Sequence, residues 1–138
     1  MISFYFEDVS EFPLSRLKVR KWLKSVVELE GKKVGELSIV FCSDEYLLKM
    51  NNDYLKHDYF TDVITFDYNV GGNVISGDIF ISIDRVKENA NTLKVSFSDE
   101  LHRIIVHGVL HLLGYSDKSR AERVAMEEKE NYYLPLLV

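Results

Sequence analysis

One stretch, running from Leu101 to Gly114, constrains this chain more than any other. Leu101, Ile104, Ile105, Val109, Leu110, Leu112 and Leu113 make a helix here apolar around most of its circumference, so it must be buried. The same helix carries His107 and His111. Residues four apart lie nearly above one another on a helix, so both imidazoles project from one face. Buried imidazoles need polar partners. A single metal ion shared between them supplies that partner; two separate core hydrogen bonds are the alternative.

The residues that follow favour the metal. Gly114 suits the position just past the helix end, because glycine accepts left-handed backbone angles, and the turn there can carry Asp117 back toward the histidines. Two imidazoles and a carboxylate form an acceptable zinc set, and three protein ligands leave the fourth position for water, as in catalytic sites. The same set also accepts nickel, iron or manganese. Zincin proteases carry His-Glu-x-x-His, with the glutamate as general base. Here Gly108 stands in the glutamate's place, which argues against a peptidase. His102, five residues before His107, falls on another helix face and reads as a surface residue.

The rest of the pattern is mixed. Ile2–Phe6, Glu36–Cys42, Thr61–Phe66 and Asp78–Ile83 read as strands, the last two paired across a turn over Asn69–Asn73 that contains Gly71 and Gly72. Pro13 opens a helix to about Leu29, with Leu14, Leu17, Leu23, Val26 and Val27 at near-helical spacing. Ser43 caps a short helix, a further helix covers Asp84–Leu93, Ser98 caps the histidine helix, and a last one covers Ser119–Tyr132. The sum is one α+β domain over residues 1–138, with a mixed sheet of about four strands, helices mainly on one face and a zincin-like metal helix.

Composition narrows the setting. At 138 residues, 46% hydrophobic and 28% charged, the chain can bury its own core. The single cysteine, Cys42, excludes an intrachain disulfide and reads as a small buried hydrophobe. No apolar run approaches the about 18 residues that cross a membrane, and the start Met1-Ile2-Ser3-Phe4-Tyr5-Phe6-Glu7-Asp8 does not look like a secretory signal, so a cytoplasmic location is expected. The net charge of −5 disfavours non-specific nucleic-acid binding over the whole surface. Yet Arg16, Lys18, Arg20, Lys21, Lys24, Lys32 and Lys33 form a basic segment, while Glu122, Glu127, Glu128 and Glu130 gather acid near the other end. The basic segment reads as a solvated helix face; a local basic surface is the alternative.

The block His107-Gly108-Val109-Leu110-His111-Leu112-Leu113-Gly114-Tyr115 resembles the YbeY family of bacterial endoribonucleases, also called rRNA maturation factors. Met50-Asn51, Asp58, Thr61-Asp62-Val63-Ile64-Thr65-Phe66, Gly77-Asp78-Ile79, Met126 and Glu130 are similar to further blocks of that family in the same order. The resemblance implies an α+β fold, one zinc ion, and single-strand-specific RNA cleavage in 16S rRNA 3′-end processing and ribosome quality control. It implies His107 and His111 as ligands, with Asp117 where much of the family has histidine. An anionic ligand lowers the charge of the site and makes the metal a weaker Lewis acid.

Two further departures follow from the resemblance. The family's arginine after the Leu-Asn block falls on Leu55, with Lys56 and His57 as neighbouring substitutes, although lysine lacks the guanidinium's two-pronged grip on phosphate. Phe60 stands where the family has proline. Thr61 and Asp62 are expected to flank the cleft, Asp62 as a base or as a structural carboxylate that caps backbone amides. Three functions compete: a zinc endoribonuclease acting on ribosomal RNA, a non-enzymatic zinc-containing ribosome assembly factor, and a metallopeptidase-like hydrolase. The oligomeric state is not legible.

Overall fold

The computed structural model describes residues 1–57, 60–69 and 71–137. Asp58, part of the family resemblance, and Val70, within the expected turn, lie outside them. Four strands form one mixed sheet: β1 (Ile2–Phe6), β2 (Lys33–Cys42), β3 (Val63–Asp67) and β4 (Val74–Ser82), in the spatial order β1-β2-β4-β3. β2 pairs parallel with both β1 and β4, whereas β3 and β4 are antiparallel. The helices are α1 (Arg16–Leu29), α2 (Asp44–Leu55), α3 (Ile83–Leu93), α4 (Phe97–Leu112) and α5 (Arg120–Tyr133). A 3-10 turn, Leu134–Leu136, follows them.

Side-chain alternation sorts the two faces of the sheet. Leu37, Ile39 and Phe41 of β2, with Ile75, Ile79 and Ile81 of β4, join the main core under α1, α3, α4 and α5. The opposite parity sends Cys42 and Ile64 into a smaller cluster with Leu47 of α2. Helices therefore gather mainly on one face, as expected, and α2 covers part of the other. With both faces covered, the central parallel strand β2 is buried continuously from Ile39 to Cys42.

Several boundaries differ from the expected ones. β2 begins at Lys33 and β4 at Val74, because these two ends pair with each other across the sheet. β3 starts at Val63, so Thr61 and Asp62 precede it. β4 stops at Ser82, whose side chain turns to cap α3 by accepting from the Arg85 amide. Ser96, not Ser98, caps α4, and its hydroxyl accepts from the Asp99 amide at 3.0 Å. α1 starts at Arg16, three residues beyond Pro13, and Leu17 points to solvent rather than into the core. Ser119 caps α5 in a reciprocal box with Glu122.

Two glycines let α4 lie close on the sheet. A β-carbon at Gly77 would stand 2.4 Å from the Phe66 carbonyl oxygen and 2.9 Å from Leu112 Cδ2. One at Gly108 would stand 2.7 Å from Ile79 Cγ2. The contact fixes the rotation of α4 about its axis: Val109, Leu110 and Leu112 are buried, and His107 and His111 are partly buried. α1 is tied to the end of α5 by the Trp22 indole N–H, which donates to the Tyr133 carbonyl at 2.8 Å.

Candidate metal centre

The chain leaves α4 through a tight turn. Gly114 takes φ +107, and its amide donates to the His111 carbonyl while the Tyr115 amide reaches back to Leu110. The reversal brings Asp117 over the histidine face. Asp117 Oδ2 lies 3.3 Å from His107 Nε2 and 3.4 Å from His111 Nε2, and the two Nε2 atoms are 3.1 Å apart. All three side chains are partly buried, and among the described residues they form the one group of histidine, cysteine or acidic side chains close enough to hold a metal ion.

The other ring nitrogens decide which way the lone pairs point. His107 Nδ1 faces Glu130 Oε2 at 2.6 Å, and His111 Nδ1 faces the Tyr115 carbonyl oxygen at 3.1 Å. A carbonyl only accepts, and Glu130 is ion-paired with Arg103 Nη1 at 2.8 Å, so both Nδ1 atoms carry hydrogen. In the neutral rings both Nε2 lone pairs then converge on the same point as the Asp117 carboxylate. Three electron-rich atoms this close repel one another unless a cation lies between them. Four bonds of about 2.0–2.1 Å arranged tetrahedrally separate neighbouring ligand atoms by about 3.3–3.4 Å; the two carboxylate–imidazole spacings equal this and the imidazole–imidazole spacing of 3.1 Å is slightly shorter. The residues present therefore fit a divalent metal ion. Burial disfavours charge on His107, but the hydrogen bond and charge of Glu130, with Asp117 and Asp62 beyond, outweigh it and raise its pKa. A proton thus competes with a metal for this point.

His107 and Asp117 open into a cleft of 1410 Å³ lined by residues of α4, α5 and the start of α1. Asp62 lines it, as expected, and Thr61 does not. Burial pushes the Asp62 carboxyl up in pKa, against the pull of His107. Its oxygens accept from its own amide, from that of Val63 and from Asn89 Nδ2 at 3.3 Å, which is the structural-carboxylate arrangement. Leu55, Lys56 and His57 sit at the exposed end of α2 and are not among the residues that line the cleft. Lys56 instead adopts φ 60 to end the helix. Arg103 is a cation inside the cleft, one turn before His107, committed to Glu130 and to Asn131 Oδ1. His102 is half-buried with its ring edge against Trp22, not on the surface; burial lowers its pKa despite Asp99.

The sequence profile described as "Endoribonuclease YbeY" matches residues 5–137. The chain belongs to the YbeY family. A relative named "Endoribonuclease YbeY" from Parabacteroides distasonis is 51% identical over 136 residues, covering 99% of this chain and 95% of that one. One of the same name from Cytophaga hutchinsonii is 48% identical over 96% of this chain and 94% of its own. Among solved structures, the solution structure of TM1509 from Thermotoga maritima superposes with a TM-score of 0.69 at 26% identity, covering 99% of this chain and 89% of that one.

The expected constellation of His107, His111 and Asp117 is thus brought together. Sequence reasoning missed the roles of Arg103, Asn89 and Glu100. Glu100 is buried in the first turn of α4, where burial and the nearby Asp62 charge raise its carboxyl pKa. Glu130 figured as part of a family block and of the acidic cluster near the end of the chain, not as a partner of His107, although a carboxylate on a neighbouring helix is the usual second partner of a metal-facing imidazole.

Proposed function

We propose that this chain is a zinc-dependent endoribonuclease of ribosomal RNA maturation, acting in the cytoplasm on single-stranded RNA of the ribosome. The observation that carries the reading is the convergence of two Nε2 atoms and one carboxylate oxygen within 3.4 Å of one another, beside an open cleft. His107, His111 and Asp117 are the residues that would hold the ion. When bound, such an ion supplies Lewis-acid polarisation of a phosphoryl oxygen. The chain's own contributions surround it. Glu130 and the Tyr115 carbonyl fix both imidazole tautomers. Arg103 pairs with Glu130 and adds positive charge one helical turn from His107. Asp62 lines the same cleft as a carboxylate held by backbone amides and Asn89.

The test is cleavage of a single-stranded ribosomal RNA fragment by purified protein whose metal content has been measured. Activity is expected to vanish on chelation, return with zinc, and be absent from His111→Ala. Cleavage that survives chelation, or persists in His111→Ala, sinks the reading.

A second reading, a zinc-containing assembly factor without nuclease activity, is favoured by one observation: the position of the family arginine, Leu55, and its neighbours lie away from the cleft. Normal rRNA processing in cells carrying folded, ribosome-bound His107→Ala protein would select it. The peptidase reading loses ground because the space beside Ile79 does not admit a glutamate at 108.

A further inference from the structure

We propose that the exposed face of α1, carrying Lys18, Lys21 and Lys24, is the track along which the phosphate backbone of single-stranded RNA lies as it enters the cleft. The proposal rests on the RNA-cleaving function proposed above and adds where the strand outside the reacting centre is held.

The orientation of α1 is fixed by its core face. Val19, Trp22, Leu23, Val26 and Val27 are buried, which leaves Lys18, Lys21 and Lys24 pointing into solvent on successive turns. Residues 16–33 contain seven basic and two acidic side chains in a chain whose net charge is −5, so positive charge is concentrated here against the general trend. Much of the neighbouring charge is already engaged. Arg16 pairs with Glu11 at 3.6 Å and stacks on Phe6; Arg20 Nε donates to the Ile2 carbonyl and its guanidinium lies over Phe4. Glu30 is turned inward onto Tyr115, Tyr133 and Lys129. Lys18, Lys21 and Lys24 have no ion-pair partner among the described residues, and Glu28 is the one acid on their face.

Position links this face to the site. Lys18 lines the same cleft as His107 and Asp117. Acidic side chains outnumber basic ones along that cleft: Asp62, Asp99, Glu100, Asp117, Glu127 and Glu130 line it against Arg103, Arg123 and Lys18, and Arg103 is already paired with Glu130. A phosphate backbone is repelled there except near a bound cation. Attraction for a polyanion is therefore strongest at the rim, where α1 brings these three lysines and α5 brings Arg123, which donates to the Lys118 carbonyl. Helices of this charge also bind anionic membranes, but they do so by burying their apolar face in lipid, and here that face is in the protein core.

The test is anisotropy binding of an unstructured RNA of about 20 nucleotides, a length beyond a single-strand site of about 4–16. It uses metal-stripped full-length protein, so that binding is read apart from cleavage. A triple variant, Lys18→Gln, Lys21→Gln and Lys24→Gln, is compared with Lys49→Gln, Lys87→Gln and Lys94→Gln, exposed lysines elsewhere whose loss changes net charge equally. Glutamine is as good a helix former as lysine. The α1 variant is expected to bind about tenfold or more weakly at low salt, and its slope of log affinity against log salt should fall by about 2. The second variant should stay within about twofold of the unaltered protein. Equal losses in both, no loss in the α1 variant, or binding of phosphatidylglycerol vesicles by the unaltered protein as tight as its RNA binding would each overturn the proposal. Failure of the zinc-loaded protein to cleave RNA overturns the nuclease reading instead, and leaves the binding comparison to decide this one.

Discussion

Gly108 rests against Ile79 so closely that a β-carbon would meet the isoleucine Cγ2 at 2.7 Å. That contact places the histidine pair, because α4 can neither lift from β4 nor roll without disturbing it. It also accounts for the missing glutamate of a His-Glu-x-x-His helix: position 108 faces the sheet, not the cleft.

Gly108→Ala should destabilise the fold by about 1–3 kcal/mol, the usual cost of overpacking, since the branched Ile79 side chain is held at the centre of the core. Urea unfolding measures it. A variant as stable as the parent would mean that α4 is less closely seated than described.

Glu130 ties the candidate metal centre to α5 through His107 Nδ1 and is itself held by Arg103. Glu130→Gln keeps the shape but removes the charge. Zinc affinity by isothermal titration should fall about 10–100-fold. Unchanged affinity would reduce Glu130 to a packing role.

Glu30 joins three elements by accepting from Tyr115 Oη at 2.7 Å, Lys129 Nζ at 3.2 Å and Tyr133 Oη. Burial raises its carboxyl pKa, but these three donors outweigh burial and the net direction is down. A carboxyl with a depressed folded pKa adds stability above its unfolded value, near 4.5, and that stability is lost as pH falls through the folded one. Glu30→Gln should therefore cost about 1–3 kcal/mol at neutral pH, with the difference from the parent closing in acid. Thermal unfolding of both proteins from pH 7 down to about 3 gives the comparison; a gap that does not close contradicts the assignment. Because Tyr115 also holds His111 through its carbonyl, the same variant should loosen zinc binding.

Cys42 is fully buried at the end of β2, and burial pushes its thiol up to about 12, with Asp8, Glu7, Asp44 and Asp84 adding to the shift. The native protein should resist iodoacetamide at pH 8 and react at once when unfolded. The folded pKa lies above the unfolded 9.0, so the unfolded chain alone releases the proton from about pH 9 upward. Stability should decline across the window between the two values and be indifferent to this thiol below it. Rapid alkylation of the folded protein would show that β2 opens.

The sequence by itself determined the α+β class, the pairing of β3 with β4, the buried histidine helix and the identity of the three converging side chains. Each of these follows from local periodicity, helix geometry or a glycine turn, which act over a few residues. Cys42 was legible as a core residue for the same reason. Tertiary structure alone decided the rest. The starts of β2 and β4 depend on pairing between residues 33 and 74, a contact that no local pattern records. Leu17 follows helical spacing yet lies exposed, because only the packing of α1 on the sheet chooses which edge of its apolar stripe is covered. Lys56 and His57 are near Asp62 in sequence, but they are not among the residues that line the cleft, whereas Arg103, one turn before His107 on α4, is. The partners that orient the histidines, Glu130 and the Tyr115 carbonyl, and the step that makes Gly108 a packing residue, exist only once α4, α5 and β4 are in contact, since hydrogen bonds and steric exclusion act across space and not along the chain.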